Sequence, residues 1–144
     1  MLTPSARLKL QIVMNVQLAD EVLDRIRERD GRYHERAYVF VLAALEYCQR
    51  RRRARGHIPG DELARSCRDL AIEQYGLTAR TVLSHWGIRT TEDIGRIVFV
   101  LIDVGLLIRH PSDRIEDFEK VFDFAQAFEG DYPWMGVARA DRVG

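Results

Sequence analysis

The chain has 144 residues, 47% of them hydrophobic and 31% charged, and its formal net charge at pH 7 is zero. This length and composition indicate one globular domain with a sizeable core and exclude a disordered or fibrous chain. No apolar run, including residues 97–102, is long enough to cross a bilayer, and the first fifteen residues lack the apolar centre of a secretory signal. We therefore expect a cytoplasmic protein that does not associate with membranes.

Apolar residues that recur at intervals of three and four predict five amphipathic helices, over residues 16–29, 34–53, 61–75, 79–86 and 91–104. Residues 1–15 are expected to form an N-terminal arm, either disordered or a short strand. Residues 16–130 are expected to form one globular domain, and residues 131–144 a C-terminal tail.

The segment HWGIRTTEDIG, residues 85–95, combines helix-ending and helix-starting signals. Trp86 continues an apolar helical stripe, and Gly87 suits the positive backbone angle of a helix C-terminus. Thr90 and Asp93 have the spacing of a capping box, which begins the next helix. These assignments leave His85, Arg89 and Glu92 without a structural role, so we regard them as candidate site residues.

A small β-ribbon is predicted near the C-terminus, with residues 106–109 as one strand and residues 121–124 as its partner. The predicted fold is thus mainly α with a small β-ribbon, in a single compact domain of about five helices. The element order is also compatible with a winged-helix-like arrangement. The outward residues Glu92, Asp93, Arg96 and Asp103 argue against DNA-groove binding by the last helix, because three of these four are acidic.

The sequence shows no familiar catalytic or cofactor-binding motif, so no cofactor is expected. Its four histidines lack metal-ligand spacing, which predicts no metal site. Cys48 and Cys67 lie on apolar helical faces and are expected to be buried free thiols. A small enzyme with a site assembled from His34, His85, Glu92 and Arg68 is kept as an alternative.

An arginine run at the end of the second predicted helix allows two interpretations. The run comprises Arg50, Arg51, Arg52, Arg53 and Arg55. Cations at a helix C-terminus are typical of a solvated helix end. The alternative is nucleic-acid contact, to which nearby arginines and aromatic side chains would contribute.

The acidic C-terminal segment is rich in aromatic residues, most of which we expect to pack on the domain, while any exposed ones would anchor a partner. These residues are Phe118, Phe122, Phe124, Phe128, Tyr132 and Trp134.

Four segments together, residues 28–47, 57–76, 81–107 and 116–128, resemble the Minf family, a small family of uncharacterised bacterial proteins. The resemblance covers about residues 18–130. It implies a cytoplasmic single-domain protein with no established activity, cofactor or partner. It also implies that the arginine run is particular to this chain, and it singles out these polar and aromatic positions: Arg32, Tyr33, His34, His85, Trp86, Gly87, Thr91, Glu92 and Asp93.

These observations lead us to expect a non-catalytic interaction or regulatory module that binds a protein partner or a second copy of itself. Its expected surface consists of Arg32, Tyr33, His34, Arg68, His85, Arg89 and Glu92. Nucleic-acid association through the arginine run is the first alternative, and the small enzyme is the second.

Overall fold

A computed structural model describes residues 3–4, 20–52 and 56–130. Within this part of the chain there are five α-helices: α1 (Asp20–Arg29), α2 (Glu35–Arg51), α3 (Gly60–Tyr75), α4 (Ala79–His85) and α5 (Thr91–Asp103). Two short strands, β1 (Thr3–Pro4) and β2 (Leu107–Ile108), form an antiparallel pair. The predicted mainly helical fold is confirmed, as is the number of helices.

Helix α2 lies at the centre of the core. Ala37, Val41, Ala44 and Leu45 on its predicted apolar stripe are completely buried. Phe40 and Leu42 are buried as well, so α2 is covered around most of its circumference. Its most extensive packing is against α3, while α5 covers a further side.

The connection between α4 and α5 has the predicted helix-ending and helix-starting features. Trp86 is only 7% exposed, and Gly87 has a positive φ of 95°. The Thr90 side chain accepts a hydrogen bond from the amide of Asp93, and the Asp93 carboxylate accepts one from the amide of Thr90. The predicted core role of Trp86 and the predicted capping box are thus both confirmed.

Helix α5 is mainly a core helix. Its buried residues include Ile94, Ile97, Val98 and Leu101, and even the first-turn residues Thr91 and Asp93 are buried. Only Arg96 and Asp103 of α5 are exposed, so the helix offers little outward surface to a DNA groove. The geometry therefore agrees with the charge pattern that argued against groove binding.

The predicted pairing of the β-ribbon is wrong. Strand β2 lies within the predicted first strand, but its partner is β1 and not residues 121–124. Phe124 instead begins a helical turn that continues as a π-helical turn over Gln126–Gly130. The apolar positions Phe118, Phe124 and Phe128 pack on the domain, which confirms the expectation for the aromatic residues that the structure describes. Tyr132 and Trp134 lie outside the described residues.

Phe118 occupies a slot between two helices that glycine makes available. A Cβ atom added to Gly95 of α5 would lie 2.8 Å from the Cβ of Phe118, and one added to Gly60 of α3 would lie 2.9 Å from its ring. Phe118 itself is 1% exposed. The glycines therefore permit a close approach of α3 and α5 to one aromatic ring.

Candidate functional site

An open groove with an aromatic floor lies between α1, α2, α3 and the end of α4. We call it the aromatic groove, and its volume is about 550 Å³. Apolar side chains line its floor: Leu23, Val39, Phe40, Ala43, Tyr75 and Trp86. Polar side chains complete its lining: Asp20, Glu35, Arg36 and Gln74.

Trp86 organises the floor of the aromatic groove. Its ring centroid lies 5.7 Å from that of Phe40 and 5.8 Å from that of Tyr75, with the Tyr75 ring nearly perpendicular to it. Phe40 and Trp86 are buried, whereas Tyr75 and Ala43 are half-buried. The groove therefore presents apolar surface that a ligand side chain could cover, on a base fixed by core packing.

His34 and His85 lie beside Trp86. The amide of His34 donates to the carbonyl of Trp86 at 3.1 Å, and His85 directly precedes Trp86. Both histidines are exposed. His34 also has a structural role that the sequence analysis missed, because its Nδ1 accepts a hydrogen bond from the amide of Arg36 and caps α2.

Tyr33, predicted as a surface residue, is instead buried at 6% exposure. Its hydroxyl donates to Asp93 Oδ1 at 2.6 Å. The same carboxylate accepts bonds from the amides of Arg89 and Thr90 and from the Arg96 guanidinium. This Asp93 network joins the start of α2 to the start of α5. Tyr33 therefore supports the loop and does not present a free hydroxyl to a partner.

Within the Asp93 network the pKa of Tyr33 is raised and the pKa of Asp93 is lowered. Burial raises the pKa of Tyr33, and the hydrogen bond to Asp93 raises it further. Burial alone would raise the pKa of Asp93, but the hydrogen bonds from Tyr33, Arg89 and Thr90 outweigh it and lower the pKa. Asp93 is thus held as a carboxylate that accepts hydrogen bonds.

The other predicted surface residues fall in different places. Arg32 is exposed next to Tyr33 and lies 3.9 Å from the Asp30 carboxylate. Arg89 is exposed, and Glu92 is half-buried and accepts a hydrogen bond from the Thr91 hydroxyl. Arg68 lies in a second groove, described next. The seven predicted residues therefore do not form one continuous site.

The second groove lies between the end of α2 and the first half of α3. We call it the arginine groove, and its volume is about 440 Å³. It is lined by Cys48, Arg51, Arg52, Glu62, Arg65, Ser66, Arg68 and Asp69. Arg51 and Arg52 belong to the predicted arginine run, and Arg50 is exposed in the same turn. Arg53 and Arg55 lie outside the described residues.

Two histidines that are distant in sequence come together in the structure. The rings of His57 and His110 lie 4.6 Å apart between centroids, and His57 Nε2 is 3.5 Å from Asp113 Oδ1. The buried Asp113 carboxylate also accepts a hydrogen bond from the His110 amide. No sequence signal indicated this cluster, which connects the loop before α3 to the turn after β2. Across the described ranges, no group of three or more potential ligand residues is arranged to hold a metal ion.

Compared with protein families, with curated proteins and with solved structures, the chain matches none. The resemblance to the Minf family therefore stays a prediction that depends on the four segments alone. Among the helices that the structure describes, none combines the length and the apolar character needed to cross a membrane.

Proposed function

We propose that this domain is a non-catalytic interaction module and that its aromatic groove binds a short peptide segment of a protein partner. The observation that carries the proposal is the combination of an apolar floor around Trp86 with polar groups in the same groove. A volume of about 550 Å³ falls in the range of specific binding pockets and would accommodate one or two anchoring side chains.

The lining defines the chemistry of the expected segment. Leu23, Val39 and Tyr75 are half-buried and would gain burial from an aliphatic or aromatic anchor. Glu35, Arg36 and Gln74 offer both donors and acceptors, which suit the amides and carbonyls flanking such an anchor. A peptide with one or two apolar anchors and an uncharged backbone edge therefore fits better than a strongly charged ligand.

The enzyme alternative has less support. Arg68 lies in the arginine groove, while His34 and His85 lie beside Trp86, so the residues named for a catalytic site are divided between two places. The Nδ1 atom of His34 already accepts the capping bond, which leaves only its Nε2 for any further role.

The proposal is tested by filling the groove with a larger side chain. Ala43 is half-buried in the groove, so we expect Ala43→Arg to occupy the space and to weaken binding of a selected peptide at least about tenfold, a loss of about 1.4 kcal/mol. Peptides would be selected from a displayed random library, and their affinities measured by fluorescence anisotropy. The matched control is Ala125→Arg at an exposed position outside the groove, which should leave the affinity unchanged.

Circular dichroism would establish that both arginine variants fold. If Ala43→Arg does not fold, Tyr75→Ala provides a second groove variant. The proposal is overturned if no selected peptide loses affinity in a folded groove variant. It is also overturned if Ala43→Arg converts a dimer into a monomer, because the occupant would then be a second copy of the chain.

A further inference from the structure

The arginine groove carries an excess of positive charge despite its ion pairs. Four arginines line it against two carboxylates, those of Glu62 and Asp69. Asp69 is shared, because Arg51 Nη1 lies 3.3 Å from one of its oxygens and Arg68 Nε lies 3.0 Å from the other. A carboxylate divided between two guanidinium groups leaves them with hydrogen-bonding capacity for a further anion.

The two remaining arginines of the groove each have an acidic partner, and with Asp61 counted there are still four arginines to three carboxylates. Arg52 lies 3.5 Å from Glu62, and Arg65 pairs with Asp61 across an exposed rim. The exposed Arg65–Asp61 pair is weak, as surface ion pairs generally are.

The guanidinium groups are held in place before any ligand arrives. Arg51 stacks over the Tyr47 ring at 4.9 Å, and Arg68 stacks over the Phe122 ring at 5.6 Å. Arg52 donates to the carbonyl of His57 at 2.6 Å. Because these contacts already restrict the long side chains, an anion bound between them costs less conformational entropy.

From this geometry we infer that the arginine groove binds the phosphate groups of single-stranded nucleic acid. Phosphate oxygens match the paired N–H donors of guanidinium groups. The guanidinium groups of Arg51 and Arg68, held over the rings of Tyr47 and Phe122, offer planar surfaces of their own. Unpaired bases can stack on such surfaces, whereas paired bases in a duplex cannot, and an acidic peptide would use the charge alone.

This inference does not depend on the proposed peptide site. The two grooves share no lining residue. It also extends the sequence-based alternative, because Arg65 and Arg68 of α3 form one wall of the groove opposite the arginine run of α2.

The test is a fluorescence anisotropy titration of a labelled twelve-nucleotide single strand, as RNA and as DNA, at about 50 and 200 mM salt. A duplex of the same sequence and a poly-glutamate competitor complete the set of probes. We expect the wild-type protein to bind the single strands with an affinity that falls as salt rises, because phosphate contacts release counterions. The double variant Arg51→Gln/Arg68→Gln should lose at least about tenfold in affinity, or about 1.4 kcal/mol.

The matched control is Arg27→Gln/Arg80→Gln, which removes the same charge from two arginines outside the groove whose side chains are 64% and 43% exposed. If the groove variant does not fold, Arg65→Glu introduces a negative charge at the exposed rim and should weaken binding in the same way. The inference is overturned by absence of binding at about 50 mM salt, or by equal losses in the groove and control variants. It is likewise overturned if the duplex binds as tightly as the single strand, or if poly-glutamate competes as well as unlabelled RNA.

Discussion

Replacing Asp93 by alanine is expected to lower the free energy of unfolding by roughly 1.5–5 kcal/mol, because a buried hydroxyl left unpaired costs about 1–3 kcal/mol and a lost helix cap about 0.5–2 kcal/mol. The substitution removes the acceptor for the Tyr33 hydroxyl, the Arg96 guanidinium and the amides of Arg89 and Thr90. The Tyr33 hydroxyl would then be buried without this partner, and the capping box of α5 would be lost. Urea unfolding followed by circular dichroism measures the change.

Asp103→Ala is the matched control, since Asp103 is exposed on the same helix and its loss should change stability by less than about 0.5 kcal/mol. Tyr33→Phe removes only one hydrogen bond to a charged group and should cost about 1.5–3 kcal/mol. An Asp93→Ala protein within about 1 kcal/mol of the wild type would show that the network does not stabilise the loop.

The same network also predicts how stability depends on pH. The pKa of Asp93 is lowered in the folded protein, so its contribution is fully present above the pKa of an unfolded aspartate, about 3.9. This contribution disappears as the pH falls from there through the lower pKa of the folded carboxyl. Asp93→Asn should therefore be less stable than the wild type at neutral pH, with a difference that narrows in acid.

Truncating Phe118 to alanine is expected to cost about 3–5 kcal/mol, the range for a fully buried phenylalanine. The large loss follows because the ring fills the slot between Gly60 and Gly95, and rigid helices on both sides limit collapse. Phe118→Leu should cost less, about 1–2 kcal/mol, and remains measurable if the alanine variant is unfolded. Thermal and urea unfolding provide the two measurements.

The glycine slot can be tested by a double-mutant cycle. In a helix, Gly→Ala is normally stabilising by about 1 kcal/mol, but Gly95→Ala should be destabilising because its Cβ would lie 2.8 Å from Phe118. Phe118→Ala in the same chain keeps the Cβ contact but removes the Cγ and Cδ2 contacts at 2.9 Å, so the penalty at Gly95 should shrink in part, by at least about 0.5 kcal/mol. If the two substitutions change the free energy of unfolding by strictly additive amounts, Gly95 does not make space for Phe118.

Within residues 20–52 and 56–130, local sequence signals predicted the helices and their boundaries well, because those signals act within a few residues. Spacing alone indicates the capping box of Thr90 and Asp93. It also indicates the end of α4 just before Gly87. The pairing of β2 with Thr3–Pro4 was missed because two-residue strands have no periodicity and their contact joins distant parts of the chain.

The candidate site was harder to predict for the same physical reason. Tyr33 and Asp93 are 60 residues apart, and only the tertiary fold turns an apparent surface tyrosine into a buried donor. Arg68 was grouped with the histidines, although packing of α3 on α2 places it with Arg51 and Arg52. His34 and His85, predicted as interaction residues, are both exposed, but sequence spacing did not reveal the aromatic groove beside them.

The two buried cysteines allow local opening of the protein to be followed by chemical labelling. Cys48 of α2 and Cys67 of α3 are buried free thiols, and burial raises the pKa of both. Since the thiolate is the reactive form, a thiol reagent in neutral solution would modify Cys67, which lines neither groove, only when α2 and α3 separate. The rate of this labelling therefore measures how often α2 and α3 separate, and no probe has to be introduced into the chain.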